Sequence, residues 1–92
     1  MKGKTLRQFI DDLYYNAEME FIFNGKKYII SGWLNEDETY TVALYSIEEN
    51  SQEIFSCTSR SRQEVVETFE AAKIFDNRTI YDVEKNIIVT YG

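Results

Sequence analysis

The dipeptide Asn24-Gly25, set between the runs EMEFIF and KKYII, constrains this chain more tightly than any other feature. A two-residue type I′ turn needs positive φ at both central positions, which Asn and Gly accept, so two antiparallel strands flank it. A loop of that length also fixes the register. Phe23 falls opposite Lys26, Phe21 opposite Tyr28 and Met19 opposite Ile30. Side chains alternate along a strand, so these residues share one side of the sheet, and it is the more apolar side. The other side takes Ile22, Ile29 and, further along, Trp33, mixed with Glu18, Glu20, Lys27 and Ser31.

The rest of the chain reads outward from this hairpin. NEDET (35–39) is a turn and YTVALYSI (40–47) a third strand, with Tyr40, Val42 and Leu44 on one face. A five-residue loop puts Val42 and Leu44 on the side of Tyr28 and Ile30. A four-residue loop puts them beside Trp33, and a bulge at Gly32 would exchange the faces. EENS (48–51) is a further turn and QEIFSCT (52–58) a fourth strand. Before the hairpin, TLRQFIDDLYYN (5–16) places Leu6, Phe9, Ile10 and Leu13 on one helical stripe, with Thr5 and Gln8 at capping-box spacing. After the fourth strand, SRQEVVETFEAAKIF (61–75) is a second helix capped by Ser61 and Glu64. Val65, Phe69 and Ala72 form its buried stripe, with Glu67 and Glu70 toward solvent. Thr79 and Asp82 cap a short turn in IYDVE, and NIIVTY is the last strand. The order α-β-β-β-β-α-β predicts an α+β fold: a mainly antiparallel meander of four or five strands with two helices on one face. The predicted core is Leu6, Phe9, Leu13, Phe21, Tyr28, Ile30, Val42, Leu44, Phe55, Val65 and Phe69.

At 92 residues the chain is one domain, 1–92. A composition 43% hydrophobic and 15% aromatic excludes a disordered chain. No apolar run approaches the length of about 18 residues that a membrane helix needs, and no apolar stretch follows MKGK to form a secretory signal. With one cysteine and no internal disulfide, the expected compartment is a reducing cytoplasm. There the glycosylation triplet Asn77-Arg78-Thr79 is idle.

The stretch SCTSRSRQE (56–64) has the look of a phosphate-binding nucleophile loop. In cysteine-dependent phosphatases the arginine lies six positions after the cysteine, with glycines between. Here that position is Gln63, Arg60 and Arg62 stand three and five positions on, and no glycine intervenes. The stretch therefore reads as a strand-to-helix turn, with Cys57 as a small half-buried side chain, Ser61 as the helix cap and the arginines solvating the turn. The chain has no histidine, which removes the commonest general base and any zinc site of nitrogen and sulfur ligands. Asp11 and Asp12 are adjacent on a helix and diverge by about 100°, so they do not act as a pair. Glu36-Asp37-Glu38 lacks the alternating pattern of a calcium loop. No catalytic, cofactor-binding or metal-binding residue is assigned, and the chain is expected not to be an enzyme.

Net charge is −6, and its distribution matters more than its total. Glu36, Asp37, Glu38, Glu48, Glu49 and Glu53 lie between Tyr28 and Ser59 with no base among them. An acidic chain without a basic stripe is not expected to bind nucleic acid directly. Two functional readings remain. In the first, the protein is a small cytosolic interaction protein. Ile22, Ile29 and Trp33 form an apolar stripe on the second sheet face, buried by a protein partner or by self-association unless the second helix or the last strand covers it. The second rests on a resemblance. Rich in Ile, Tyr, Asn and Lys and poor in Ala and Gly, the chain resembles short reading frames of A/T-rich Gram-positive bacteria and their phages. That resemblance lies in composition and length and carries over no residue. It implies an acidic phage- or mobile-element-type inhibitor of a nucleic-acid-processing protein, imitating nucleic acid through the six acids named above. Meander geometry weighs against it, because it sets NEDET and EENSQE at opposite ends of the sheet, about 20 Å apart. Lys26 and Lys27 then stand near the second cluster, and Arg60 and Arg62 near the first.

Overall fold

The structure is a computed structural model that describes residues 1–15, 18–48 and 50–92. Along the chain run α1 (Leu6–Asp12), β1 (Glu18–Phe23), β2 (Lys26–Leu34), β3 (Tyr40–Ser46), β4 (Gln52–Ser59), α2 (Arg62–Ala71), α3 (Ile80–Val83), a 3-10 turn (Glu84–Asn86) and β5 (Ile87–Tyr91). The five strands form one antiparallel sheet in the order β4-β3-β2-β1-β5. The fold is α+β as expected, with a third short helix added.

The hairpin has the register its turn dictates. Asn24 and Gly25 take φ of 51° and 76°, and Phe23, Phe21 and Met19 pair with Lys26, Tyr28 and Ile30. Leu34 pairs with Tyr40, so the β2–β3 loop has the five-residue length that puts Val42 and Leu44 with Ile30. Pairing runs unbroken through Gly32, opposite Val42. Bulges lie elsewhere, at the Leu44/Tyr45 step of the β3–β4 pair, where Ile54 is the extra residue, and at the Glu20/Phe21 step of the β1–β5 pair.

One side of the sheet faces α1, α2 and α3 across a single core. Phe9, Leu13, Phe21, Ile30, Val42, Leu44, Val65 and Phe69 are buried in it as the sequence predicts. Leu6, Tyr28 and Phe55 sit at its margin, partly exposed. The Phe69 ring lies 5.8 Å from Phe55, 6.3 Å from Phe9 and 6.3 Å from Phe75. The Tyr40 hydroxyl, also buried, donates to the carbonyl of Leu13 and so ties β3 to the end of α1.

The second helix departs from its predicted course. Ser61 caps it, accepting from the Glu64 amide at 3.2 Å, but the helix stops at Ala71 and Ala72 is already extended. Val66 joins Val65 and Phe69 in the buried stripe, Ala72 lies beyond the helix and is half-buried, and Glu70, expected toward solvent, is half-buried and accepts from the Tyr81 hydroxyl. The reason lies in Phe75, 2% exposed, which packs edge-on against Phe23 and Phe69. Seating that ring takes the chain off the helical path. It then turns through Asp76 and Asn77 at positive φ, closed by paired backbone hydrogen bonds between Phe75 and Arg78. Among the described residues no helix is long and apolar enough to cross a membrane.

Candidate functional site: the open sheet face

Because alternate residues of each strand point to opposite faces, the register that builds the core also defines what lies behind it. Four rows cross the back of the sheet. Ile88 of β5, Ile22 of β1 and Lys27 of β2 form the first. The second runs Tyr91, Glu20, Ile29, Tyr45 and Glu53. Glu18 and the small residues Ser31, Ala43 and Ser56 make the third, and the fourth is Trp33, Thr41 and Thr58. Among the described residues no helix lies over any of them, since the buried side chains of α1, α2 and α3 all belong to the one core on the opposite face.

Among the described residues neither α2 nor β5 lies over Ile22, Ile29 and Trp33, of which the two isoleucines are half-buried and the tryptophan exposed. The structure does not bring all three together. Ile22 and Ile29 are diagonal neighbours across the hairpin and share a patch with Ile88 and Tyr45. Trp33 stands four residues beyond Ile29 on β2, about 13 Å away at the strand rise. The row of small residues separates them. Ala43 is fully buried and Thr41 only 5% exposed, so this middle part of the face is closed to solvent.

Trp33 is 38% exposed, and its indole is held. Nε1–H donates to Oδ1 of Asn35 at 2.9 Å. The Asn35 amide nitrogen in turn donates to the Thr41 hydroxyl at 2.8 Å and to the Thr39 hydroxyl at 3.0 Å, and Thr41 shares a 2.7 Å hydrogen bond with Thr58. The backbone of Asn35 also closes the loop, its N–H donating to the Thr39 carbonyl at 2.8 Å. One short polar side chain therefore links turn, indole and β3, and Thr41 carries the connection on to β4. Sequence reasoning missed Asn35 because its type announces a turn without announcing which side chain it holds. It also missed Ile88, 43% exposed, and Tyr91, 61% exposed, whose place depends on β5 joining the far side of β1.

The acidic residues have a different setting. Glu36, Asp37 and Glu38 lie exposed in the β2–β3 loop, while Glu48 follows β3 at the other end of the sheet and Glu53 lies on β4. Glu49 falls outside the described residues. Two of these acids build turns. Asp37 accepts from the hydroxyl and the amide of Thr39 at 2.6 and 3.1 Å, and these bonds, with a smaller pull from Arg60, hold its carboxyl below its ordinary value. Glu48 accepts from the Lys27 amide at 2.7 Å, beside the Asn24-Gly25 turn. Arg62 does not solvate its turn. Its guanidinium donates to the Tyr14 carbonyl and stacks 4.2 Å over the Tyr40 ring.

Cys57 packs at the core margin on the helix side of β4, opposite Val42. Among the described residues no three His, Cys, Asp or Glu side chains converge as metal ligands. Comparison with protein-family models, with curated proteins and with solved structures finds no match to this chain.

Proposed function

We propose that the protein is a non-enzymatic binding module whose open sheet face takes a protein partner. The observation that carries this reading is Trp33, half-exposed on an uncovered face and tied by Asn35 into a polar network that fixes its ring. A face meant only for water has no need of an oriented indole. Holding it in place lowers the ordering cost at binding, and tryptophan is among the residues that most often dominate interface energy. The aliphatic patch of Ile22, Ile29 and Ile88 supplies a second contact on the same plane. The partner this surface suits has an apolar ridge with a slot for the indole, and its binding is insensitive to salt.

The test is capture of partners from a lysate of the source cells at low and high salt, with wild type and Trp33→Ser side by side. A specific partner that stays bound at high salt and is lost with Trp33→Ser supports the reading. A partner lost at high salt, indifferent to Trp33→Ser and dependent on Glu36, Asp37, Glu38, Glu48, Glu49 and Glu53 would instead favour nucleic-acid mimicry.

A further inference from the structure

The two edges of the sheet are finished differently. The outer edge of β5 is occupied by the first residues of the chain. Lys2 forms a parallel bridge to Ile88, its N–H donating to the Ile87 carbonyl at 3.0 Å and its carbonyl accepting from the Val89 amide at 2.8 Å. Gly3, at φ 92°, lies so close that a Cβ there would collide with the Val89 carbonyl. The outer edge of β4 has no such cover: among the described residues no segment pairs with it. Its eight residues, QEIFSCTS, include neither lysine nor proline, the side chains that commonly guard an open edge. Its one irregularity is the bulge at Ile54, which leaves residues 55–59 as a regular free edge. Phe55 and Cys57, on the core side of that edge, are half-buried and pack against the core margin.

From this we infer that two copies of the chain join edge to edge through β4, antiparallel about a two-fold axis at Cys57, forming a continuous ten-stranded sheet. Charge selects this occupant and this direction. β4 carries Glu53 before its regular run, and Arg60, exposed, stands just after it. Antiparallel pairing of two such strands sets each Glu53 beside the Arg60 of the other copy; parallel pairing sets like charge beside like. Directly opposed residues of an antiparallel pair share a face, so the two-fold places Phe55 opposite Ser59, Ser56 opposite Thr58 and Cys57 opposite itself. The bulged pair Glu53 and Ile54 then meets Arg60. Phe55 and Cys57 gain a neighbour on the helix side, and the two open faces end on the same side of the joined sheet. The interface uses the backbone edge of β4 and leaves Trp33 outside it, so it stands or falls independently of the open-face reading.

Sedimentation equilibrium over a range of protein concentrations, at low salt, tests it. Wild type is expected to dimerise reversibly. Arg60→Glu, which places glutamate against glutamate twice in each dimer, should raise the dissociation constant by about tenfold or more. The swapped double variant Glu53→Arg with Arg60→Glu should restore it, and Trp33→Ser should leave it unchanged. All these sites are at least partly exposed, and circular dichroism checks that each variant folds. A wild type that stays monomeric at every concentration overturns the inference. So does a dimer that ignores Arg60→Glu, or one that only Trp33→Ser dissolves.

Discussion

Phe21 and Ile22 are neighbours on β1, yet they belong to different environments. Phe21 is fully buried, its ring stacked 5.3 Å from Tyr28 and 5.9 Å edge-on from Phe9. Ile22, one residue on, faces outward beside Lys27 and Ile88, half-buried, with no helix of the described residues above it. The same alternation repeats along β2, where Ile30 is fully buried and Ile29 is not. The helix side is held by interlocking rings from five elements. The back is held by in-plane contacts and, around Trp33, by hydrogen bonds from one asparagine. A side chain on the first face is therefore committed to the core, whereas on the second Trp33, Ile88 and Tyr91 stay exposed and Thr41 and Ala43 do not.

The contrast between faces is easiest to break from the core side. Phe69 touches rings from α1, β4 and the segment after α2, so Phe69→Ala should cost about 3–5 kcal/mol in urea unfolding. A loss under about 1 kcal/mol would show that α2 does not pack as described. Asn35→Ala tests the other face. Removing its amide frees the indole and leaves the Thr41 hydroxyl only its bond to Thr58, for an expected loss of about 1 kcal/mol. It should also lower the anisotropy of Trp33 emission, which a variant with a purely local turn defect would not do. Ile22→Thr keeps β-branching and changes only an outward surface, so its effect should stay within about 0.5–1 kcal/mol. A loss near that of Phe69→Ala would mean that something covers the back of the sheet after all. The smallest effect is alkaline. Hydroxyl donation to Glu70, followed by burial, pushes Tyr81 up to about 12 from its ordinary 10.0. The bond needs the protonated phenol, so its contribution is present below pH 10 and is lost as pH rises through about 12. Comparing phenolate absorbance of wild type with Tyr81→Phe isolates this titration, and Glu70→Gln should bring it back toward 10.0.

Legibility in the sequence followed the range of the interactions. The β1–β2 register was readable because turn chemistry and side-chain alternation agree over a dozen neighbouring residues, and the capping box of Thr5 and Gln8 is equally local. β3 was readable only up to the parity of its loop, since one residue more or less flips every side chain. The end of α2 was misread because EAAKIF has good helical propensity, and only the distant rings Phe21 and Phe23 explain why Phe75 must leave the helix. The site divides in the same way. Ile22 and Ile29 were legible as face-mates from the hairpin alone. Ile88 was not, because β5 reaches β1 from the far end of the chain. The hold of Asn35 on Trp33 depends on where Thr41 and Thr58 come to lie, which propensity does not encode.

Trp33 is the chain's one tryptophan, so its emission reports on the open face without labelling. The decisive measurement is acrylamide quenching of that emission in the free protein and again in complex with the captured partner. Appreciable quenching is expected in the free protein, sharply reduced in the complex. A tryptophan already shielded when the protein is alone, or quenched equally in both states, would contradict the claim that this face is the working surface.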